Sequence, residues 1–461
     1  MSDFRIRFLF CLALIILLGG CKPDGFDDNP SVEAPEDIPQ DKPAYEILTD
    51  DTYSFKEFIH TLIDESSLTS SIPDAMKILL EAQIDTYIDN LAATVGVAPE
   101  ELWFRRVTYL YPSIDQYGSQ RSLSAMALWL GAKADEEWTD ISPDRICLME
   151  HFTIASDAEC PSVGYPFEAF INGNSLVLMP DYIGYGATAD MVHPYMNHEL
   201  CAVNSIDALE AGYKLFEELS MAEMTPGWTT SVAGASQGGG NALAVHKYMD
   251  THSDVSQYWN FTHSCCAAGP YSPSLTVDIY LEEGTTANPV LFTLTMKSMY
   301  DSYPDILGKF DENRFYSERF LEHKEVLDAA LDSKKYTTSE MNDLYFSFLM
   351  PEGEETTGGL LRIEDILSAE IMDKDSEICK ALYECLEKSD LIKGWIPVKP
   401  MKLYFSYSDS VVPAENTLAV FDAFGESKVT LEPSLLMDHT LNCVYWMLDV
   451  MSHSENTTRK F

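Results

Sequence analysis

The stretch Val232-Ala233-Gly234-Ala235-Ser236-Gln237-Gly238-Gly239-Gly240-Asn241 (VAGASQGGGN) sets Gly234, Ser236 and Gly238 in a G-x-S-x-G spacing. In that spacing a serine occupies a sharp strand-to-helix turn, with its hydroxyl pushed out above a sheet. The match alone is weak: with Gly and Ser each near about 7% of residues, a chain this long carries it by chance roughly one time in six. The flanks decide. TTSVAGAS (229–236) reads as a buried strand, and the small residues GGGNALAVHKYMD after Gln237 lead into a helix. Glycine at 234 and 238 lets neighbouring backbones approach the strained serine, and Gly239 and Gly240 relieve crowding at the helix start. Other glycine-loop readings fail, since no Lys follows for a phosphate-cradling loop and G-x-G-x-x-G is not satisfied here.

Strand-like and helix-like segments alternate on both sides of this turn. FKEFIHTLI and AMKILLEAQIDTYIDNLAATV have apolar positions three and four apart, so residues 45 to 97 are expected to be mostly helical. LWFRRVTYLYPS and SLSAMALWLGA flank the turn-rich IDQYGSQR, the pattern of a hairpin opening a sheet. ICLMEHFTIA and NSLVLMPDYIGYG are short apolar runs suited to strands buried on two faces, and CAVNSIDALEAGYKLFEEL is a helix. After the strand FTHSCCAAGPYSP the rhythm stops, and residues 275 to 395 read as a helical block with candidate helices EVLDAALDSKKY, EMNDLYFSFLM and IEDILSAEIM. It resumes with the strand MKLYFSYSD, the helix AENTLAVFDAFG, the strand KVTLEPSL and a last helix, TLNCVYWMLDVMS. A helical block inserted between two core strands is expected to act as a cap, and its Met and aromatic residues are candidates for lining a pocket.

A serine hydroxyl needs a base to take its proton, and the base needs a third group to hold its ring. Six histidines follow Ser236: His246, His252, His263, His323, His439 and His453. His246 and His252 belong to the helix behind the turn, His323 to the inserted block and His453 to the last helix or tail. His439 lies in LLMDHTLN, a loop that leaves the last strand for the last helix, and is the candidate base. Asp409, at the end of MKLYFSYSD, is the candidate acid, with Asp438 a rival and Glu415 a weaker one. The backbone N–H of Gln237 and one from the loop Glu150-His151-Phe152-Thr153, donated by Phe152 or Thr153, are the expected oxyanion donors.

Residues 1 to 20 carry a basic flank (Arg5, Arg7) and an apolar run from Phe8 to Leu18, too short to span a bilayer as a helix, and read as a secretory signal. Leu18-Gly19-Gly20-Cys21 resembles a bacterial lipobox, which implies that Cys21 becomes the acylated first residue of a protein attached by lipid to the cell envelope, at the outer membrane. Residues 21 to 44, rich in Pro and Asp, cannot bury enough apolar surface to offset their ordering entropy and read as a flexible tether. The net charge of −44 (74 acidic against 30 basic residues) is spread along the chain and makes nucleic acid an improbable partner. Of ten cysteines, eight remain beyond Cys11 and Cys21; no C-x-x-C pair occurs, and buried free thiols are expected. Cys379 and Cys385 sit six apart on a probable helix, about 9 Å along its axis and on different faces.

Met179-Pro180-Asp181-Tyr182-Ile183-Gly184-Tyr185-Gly186-Ala187-Thr188, His193-Pro194-Tyr195, Ser205-Ile206-Asp207-Ala208-Leu209, the GASQGGG turn and the YSDSVVP segment together resemble the α/β-hydrolases of the secretory lipase and bacterial esterase group. The resemblance covers roughly residues 100 to 275 and 395 to 455. It implies an α/β-hydrolase fold, a mostly parallel sheet flanked by helices, with the cap inserted. Taken with the readings above, the domain order expected is a signal at 1–20, a tether at 21–44, a first core part with N-terminal helices at 45–274, a cap at 275–395 and a second core part at 396–461. The resemblance further implies hydrolysis of carboxylic esters through an acyl-enzyme without metal or cofactor, with Ser236 attacking, His439 as base then acid, and Asp409 orienting it. Asp181 is expected to be structural, fixing the loop beside the site. One departure stands out: relatives often carry His-Gly at the oxyanion loop, where this chain has His151-Phe152. The substrate is expected to be a small, lipid or glycan-linked ester. A peptidase of the same fold, or a surface lipoprotein that only binds, are the alternatives.

Overall fold

The computed structural model describes residues 45–65, 74–135, 137–350 and 359–454. The signal, Cys21 and the tether lie outside the described residues.

Alternation along the strands explains the layers. On one side of the hairpin strand, Leu123, Ala125, Ala127 and Trp129 enter one apolar core, while Met126, Leu128 and Leu130 enter another on the opposite face. Ile146 and Leu148 against Cys147 and Met149, and Leu176 and Leu178 against Val177 and Met179, divide in the same way. Successive side chains point to opposite faces, so a continuous apolar run is what a strand covered on both sides requires. Each such Leu, Ile or Val contributes about 1.5–3 kcal/mol on burial.

The strands are β1 (Glu46–Ser54), β2 (Leu102–Ile114), β3 (Gln120–Ala134), β4 (Glu137–Asp140), β5 (Arg145–Glu150), β6 (Ser175–Pro180), β7 (Thr229–Ala235), β8 (Phe261–Ala267), β9 (Thr285–Thr286), β10 (Leu361–Arg362), β11 (Met401–Ser406) and β12 (Val429–Ser434). The large sheet runs β1-β2-β3-β6-β5-β7-β8-β11-β12, with β4 paired to β3. Strands β6, β5, β7, β8, β11 and β12 are mutually parallel; β1, β2 and β3 add an antiparallel flank. The helices are α1 (Phe55–Glu65), α2 (Asp74–Val95), α3 (His198–Leu219), α4 (Gln237–Thr251), α5 (Ser253–Tyr258), α6 (Pro273–Glu283), α7 (Val290–Ser302), α8 (Pro304–Leu307), α9 (Glu318–Asp332), α10 (Thr338–Leu349), α11 (Ala369–Met372), α12 (Glu377–Lys388), α13 (Ala414–Phe424) and α14 (His439–Ser454). Helices α3 and α4 cover one face of the sheet, and α1, α2 and α14 the other.

Between β8 and β11, helices α6 to α12 and the antiparallel β9–β10 pair build a third core of their own, with Phe292, Phe315, Phe320, Tyr345 and Leu382 at its centre. Ala155, Tyr195 and Met196, on the loops after β5 and β6, pack into that core. This seats the inserted layer over the carboxyl ends of the strands, the place where open parallel sheets hold ligands.

The β9–β10 pair interrupts the block 275–395 that was expected to be helical, and two strands of the large sheet also depart from the sequence reading. Residues 46–54, expected within a mostly helical segment, form edge strand β1, paired antiparallel to β2 and followed at once by α1. Its Thr49, Thr52 and Tyr53 suit a strand, its Asp50 takes a two-pronged ion pair from Arg105, and its acidic residues keep the free edge soluble. The short β4, absent from the sequence reading, pairs with the end of β3 on the same edge as β6. All eight described cysteines are free, Cys379 and Cys385 both buried. Among the described residues no helix is long and apolar enough to cross a membrane.

Candidate active site

β7 ends at Ala235, α4 begins at Gln237, and Ser236 between them has φ 56° and ψ −124°, a backbone that side-chain-bearing residues rarely adopt. Two tight approaches hold it there. A side chain on Gly234 would strike the backbone of Gly238, and one on Gly238 would strike the carbonyls of Glu150 and His151. The Ser236 N–H is tied to the Ala267 carbonyl at 2.9 Å, so β8 also braces the turn.

His439 opens α14 directly after β12, and Asp409 follows β11. His439 Nε2 stands 2.9 Å from Ser236 Oγ, and its Nδ1 stands 2.8 Å from Asp409 Oδ2. The partners fix the proton roles: Nδ1–H donates to the carboxylate, and Nε2 accepts from the serine hydroxyl. Asp409 is itself held, its Oδ1 accepting the N–H groups of Val411 and Val412 at 2.9 Å each. The rival Asp438 accepts from the Leu441 N–H at 2.9 Å and so caps α14, while Glu415 is exposed on α13. His246 lies behind the turn between Ser264 and Asp250, and His252 stacks on Tyr248. Asp181 is fully buried and ties the loops together, accepting from Ser124 Oγ at 2.5 Å and the Ser162 N–H at 2.7 Å.

Gln237 is the first residue of α4, where backbone N–H groups lack intrahelical partners. Its side-chain amide donates to His193 Nε2 at 2.7 Å, and His193 Nδ1–H donates to the Ile183 carbonyl at 2.7 Å. Burial pushes His193 down to about 3, so the ring is neutral and can accept from the amide. This anchor was not assigned from sequence, although His193-Pro194-Tyr195 stood among the shared motifs. Phe152 and Thr153 stand together with Ser236, Gln237 and His439 on the wall of a cavity of about 470 Å³. Cap residues Tyr280, Leu291, Phe292 and Met296 supply its far wall, and Cys443 and Met447 of α14 its side. Two buried carboxyls adjoin this region unanticipated. Glu150 ends β5 beneath the turn, and Glu168 lies in the turn Phe167–Phe170; burial pushes each up to about 7.

Sheet order, the strand-turn-helix at Ser236 and the following loops are those of the α/β-hydrolase fold, which this chain has. Among solved structures it is similar to the rice cell wall degrading esterase LipA from Xanthomonas oryzae, with 19% identity and a TM-score of 0.59 over 80% of this chain and 93% of that one. It is similar as well to a provisionally assigned hydrolase of Legionella pneumophila, with 14% identity and a TM-score of 0.65 over 91% of this chain and all of that one (100%). No family model and no curated protein matches the sequence.

Proposed function

We propose that this protein is a secreted, lipid-anchored serine hydrolase that cleaves carboxylic esters through an acyl-enzyme. The observation that carries the reading is the hydrogen-bonded series Ser236 Oγ, His439 Nε2, His439 Nδ1 and Asp409 Oδ2 at 2.9 and 2.8 Å, opening onto a mainly apolar cavity. The likeness to an esterase in fold supports the ester over other acyl compounds.

In this reading Ser236 Oγ bonds to the ester carbonyl carbon as its proton passes to His439 Nε2. The imidazolium is stabilised by Asp409, which keeps its own charge. The carbonyl oxygen, now anionic, is held by the Gln237 N–H and one N–H of the 151–153 loop, each worth about a hundredfold or more in rate. The C–O bond then breaks, and the alcohol leaves with the proton from Nε2. Water, deprotonated by the same nitrogen, attacks the acyl-serine; the acid departs and Ser236 recovers its proton. The neutral His193 positions α4 through Gln237 and takes no proton in the cycle.

Ser236→Ala is expected to abolish p-nitrophenyl ester hydrolysis with the thermal transition unchanged, and a fluorophosphonate probe to label the parent only at Ser236. Undiminished turnover in the variant would sink the reading. Attachment is tested apart from chemistry: Cys21→Ala should release the protein from membranes, since stable anchoring needs the acyl chains that Cys21 would carry.

A further inference from the structure

Among the large apolar side chains on the cavity wall Phe152 alone is exposed, at 40%, whereas Tyr195, Tyr280, Phe292 and Met296 are between 1 and 6% exposed. Of the other described wall residues only Thr440, next to His439, is exposed. The cavity therefore opens between the loop after β5 and the first turn of α14, and the part walled by α6 and α7 is enclosed. The backbone that carries the Phe152 ring is fixed on both sides. The His151 carbonyl accepts from Tyr182 Oη at 3.1 Å, and the Phe152 carbonyl accepts from His151 Nδ1–H at 2.7 Å. Polar groups on the adjoining wall are already engaged. Thr153 Oγ1 is bonded to Tyr195 Oη at 3.2 Å, Thr338 Oγ1 donates from the cap to the Thr153 carbonyl at 3.3 Å, and Glu159 Oε2 accepts the Ser156 N–H at 3.3 Å.

An ester has two halves, and the order of bond-breaking assigns them. The alcohol leaves while the acyl group stays on Ser236, and water then enters the space the alcohol has vacated. The half that must depart and be replaced by water belongs at the mouth; the half that stays covalently bound belongs in the enclosed part. We infer that the Phe152 side chain forms the alcohol subsite and is a specificity-determining residue, selecting esters of apolar, ring-bearing alcohols over esters of polyols. A ring carried on a fixed backbone offers contact area at small entropic cost, and it packs offset or edge-on against a second ring. A polyol in the same place would give up water from hydroxyls that the engaged threonines and Glu159 do not fully replace.

This rests on the serine-hydrolase reading, and the test separates the two. Benzyl acetate, ethyl acetate and glycerol monoacetate all pass through the same acetyl-enzyme, so differences in kcat/KM among them arise before the alcohol has left. The parent should favour benzyl acetate over glycerol monoacetate by about tenfold or more. Phe152→Ala should lower the benzyl-to-ethyl ratio of kcat/KM by about tenfold, and any general damage to the loop slows both esters alike and cancels in that ratio. The octanoate-to-acetate ratio of p-nitrophenyl esters, which reads the acyl side, should move less than about twofold, because the ring does not face that half. A parental benzyl-to-ethyl ratio in Phe152→Ala overturns the inference, as does a shift confined to the acyl series. If that variant does not fold, a parent that takes glycerol monoacetate as well as benzyl acetate overturns it instead. Should the parent itself fail to label with the fluorophosphonate at Ser236, the hydrolase reading fails first.

Discussion

The two sides of the site are built on opposite principles. On the nucleophile's side every ionisable partner is bonded: Asp409 accepts two backbone N–H groups and the imidazole, and His439 spans from Asp409 to Ser236. Beside the 150–153 loop, among the described residues, Glu150 keeps one carboxyl oxygen without a partner and Glu168 both. Burial disfavours charge on that side from both directions, pushing His151 down to about 4 and His193 to about 3, and Glu150 and Glu168 up to about 7. The charged side can therefore be disabled by removing one bond, whereas the neutral side sets where backbone dipoles point and yields by degrees.

The largest loss should come from breaking the charged side. Asp409→Asn keeps the size of the side chain but presents an amide to Nδ1, favouring the wrong tautomer of His439; kcat should fall by about 10⁴-fold with substrate binding little altered. Steady-state kinetics on a soluble ester decides it. On the neutral side, His193→Phe removes the acceptor for the Gln237 amide. A small shift of α4's first turn is expected to cost roughly ten- to a hundredfold in kcat, far less than the loss at Asp409. Equal losses from both variants would erase the contrast.

Further from the chemistry, Met296→Ala should enlarge the cavity and change kcat/KM by about tenfold for acyl chains long enough to fill it, leaving acetate esters nearly unaffected. A chain-length series measures this. The smallest effect is on stability. Glu150 is raised from 4.5 to about 7, so its folded form binds a proton more tightly than the unfolded chain does. Its contribution is fully present below pH 4.5 and lost as pH rises through about 7. Relative to the parent, Glu150→Gln should thus gain stability progressively between those values and level off above them, as read from denaturant midpoints. A constant difference would show that Glu150 does not titrate in that window.

How far the sequence discloses this site follows the same division. Ser236 was legible because its requirements are local: small residues at 234 and 238 are demanded by backbones that meet within a few positions of each other. His439 and Asp409 were legible through topology, since each sits just past a readable strand end, although only the folded chain separates Asp409 from Asp438, which has a cap to serve. The burial of Glu168 offered no such signal. The residue sits in a turn, Phe167–Phe170, whose pattern alone is that of any short loop. Strand β1 was misread for a related reason: its partner β2 is distant in sequence, with Glu46 opposite Leu110 and Ser54 opposite Trp103, and an exposed edge shows no alternation of apolar and polar residues. In the inserted layer EVLDAALDSKKY and EMNDLYFSFLM match α9 and α10, whereas IEDILSAEIM, read as one helix, is a tight turn at Ile363–Asp365 followed by the short α11; which residues wall the cavity was not legible, because the layer's aromatic residues serve its own interior as well.

The inserted layer also reaches the 153–157 segment a second time, where the Lys334 carbonyl takes the Asp157 N–H at 2.8 Å. A roof fastened at two points to a strip of chain that lines the cavity is not free to swing wide. Bulky esters would have to thread between its side chains, and a mutation that props the layer open should admit more molecules while converting fewer of them.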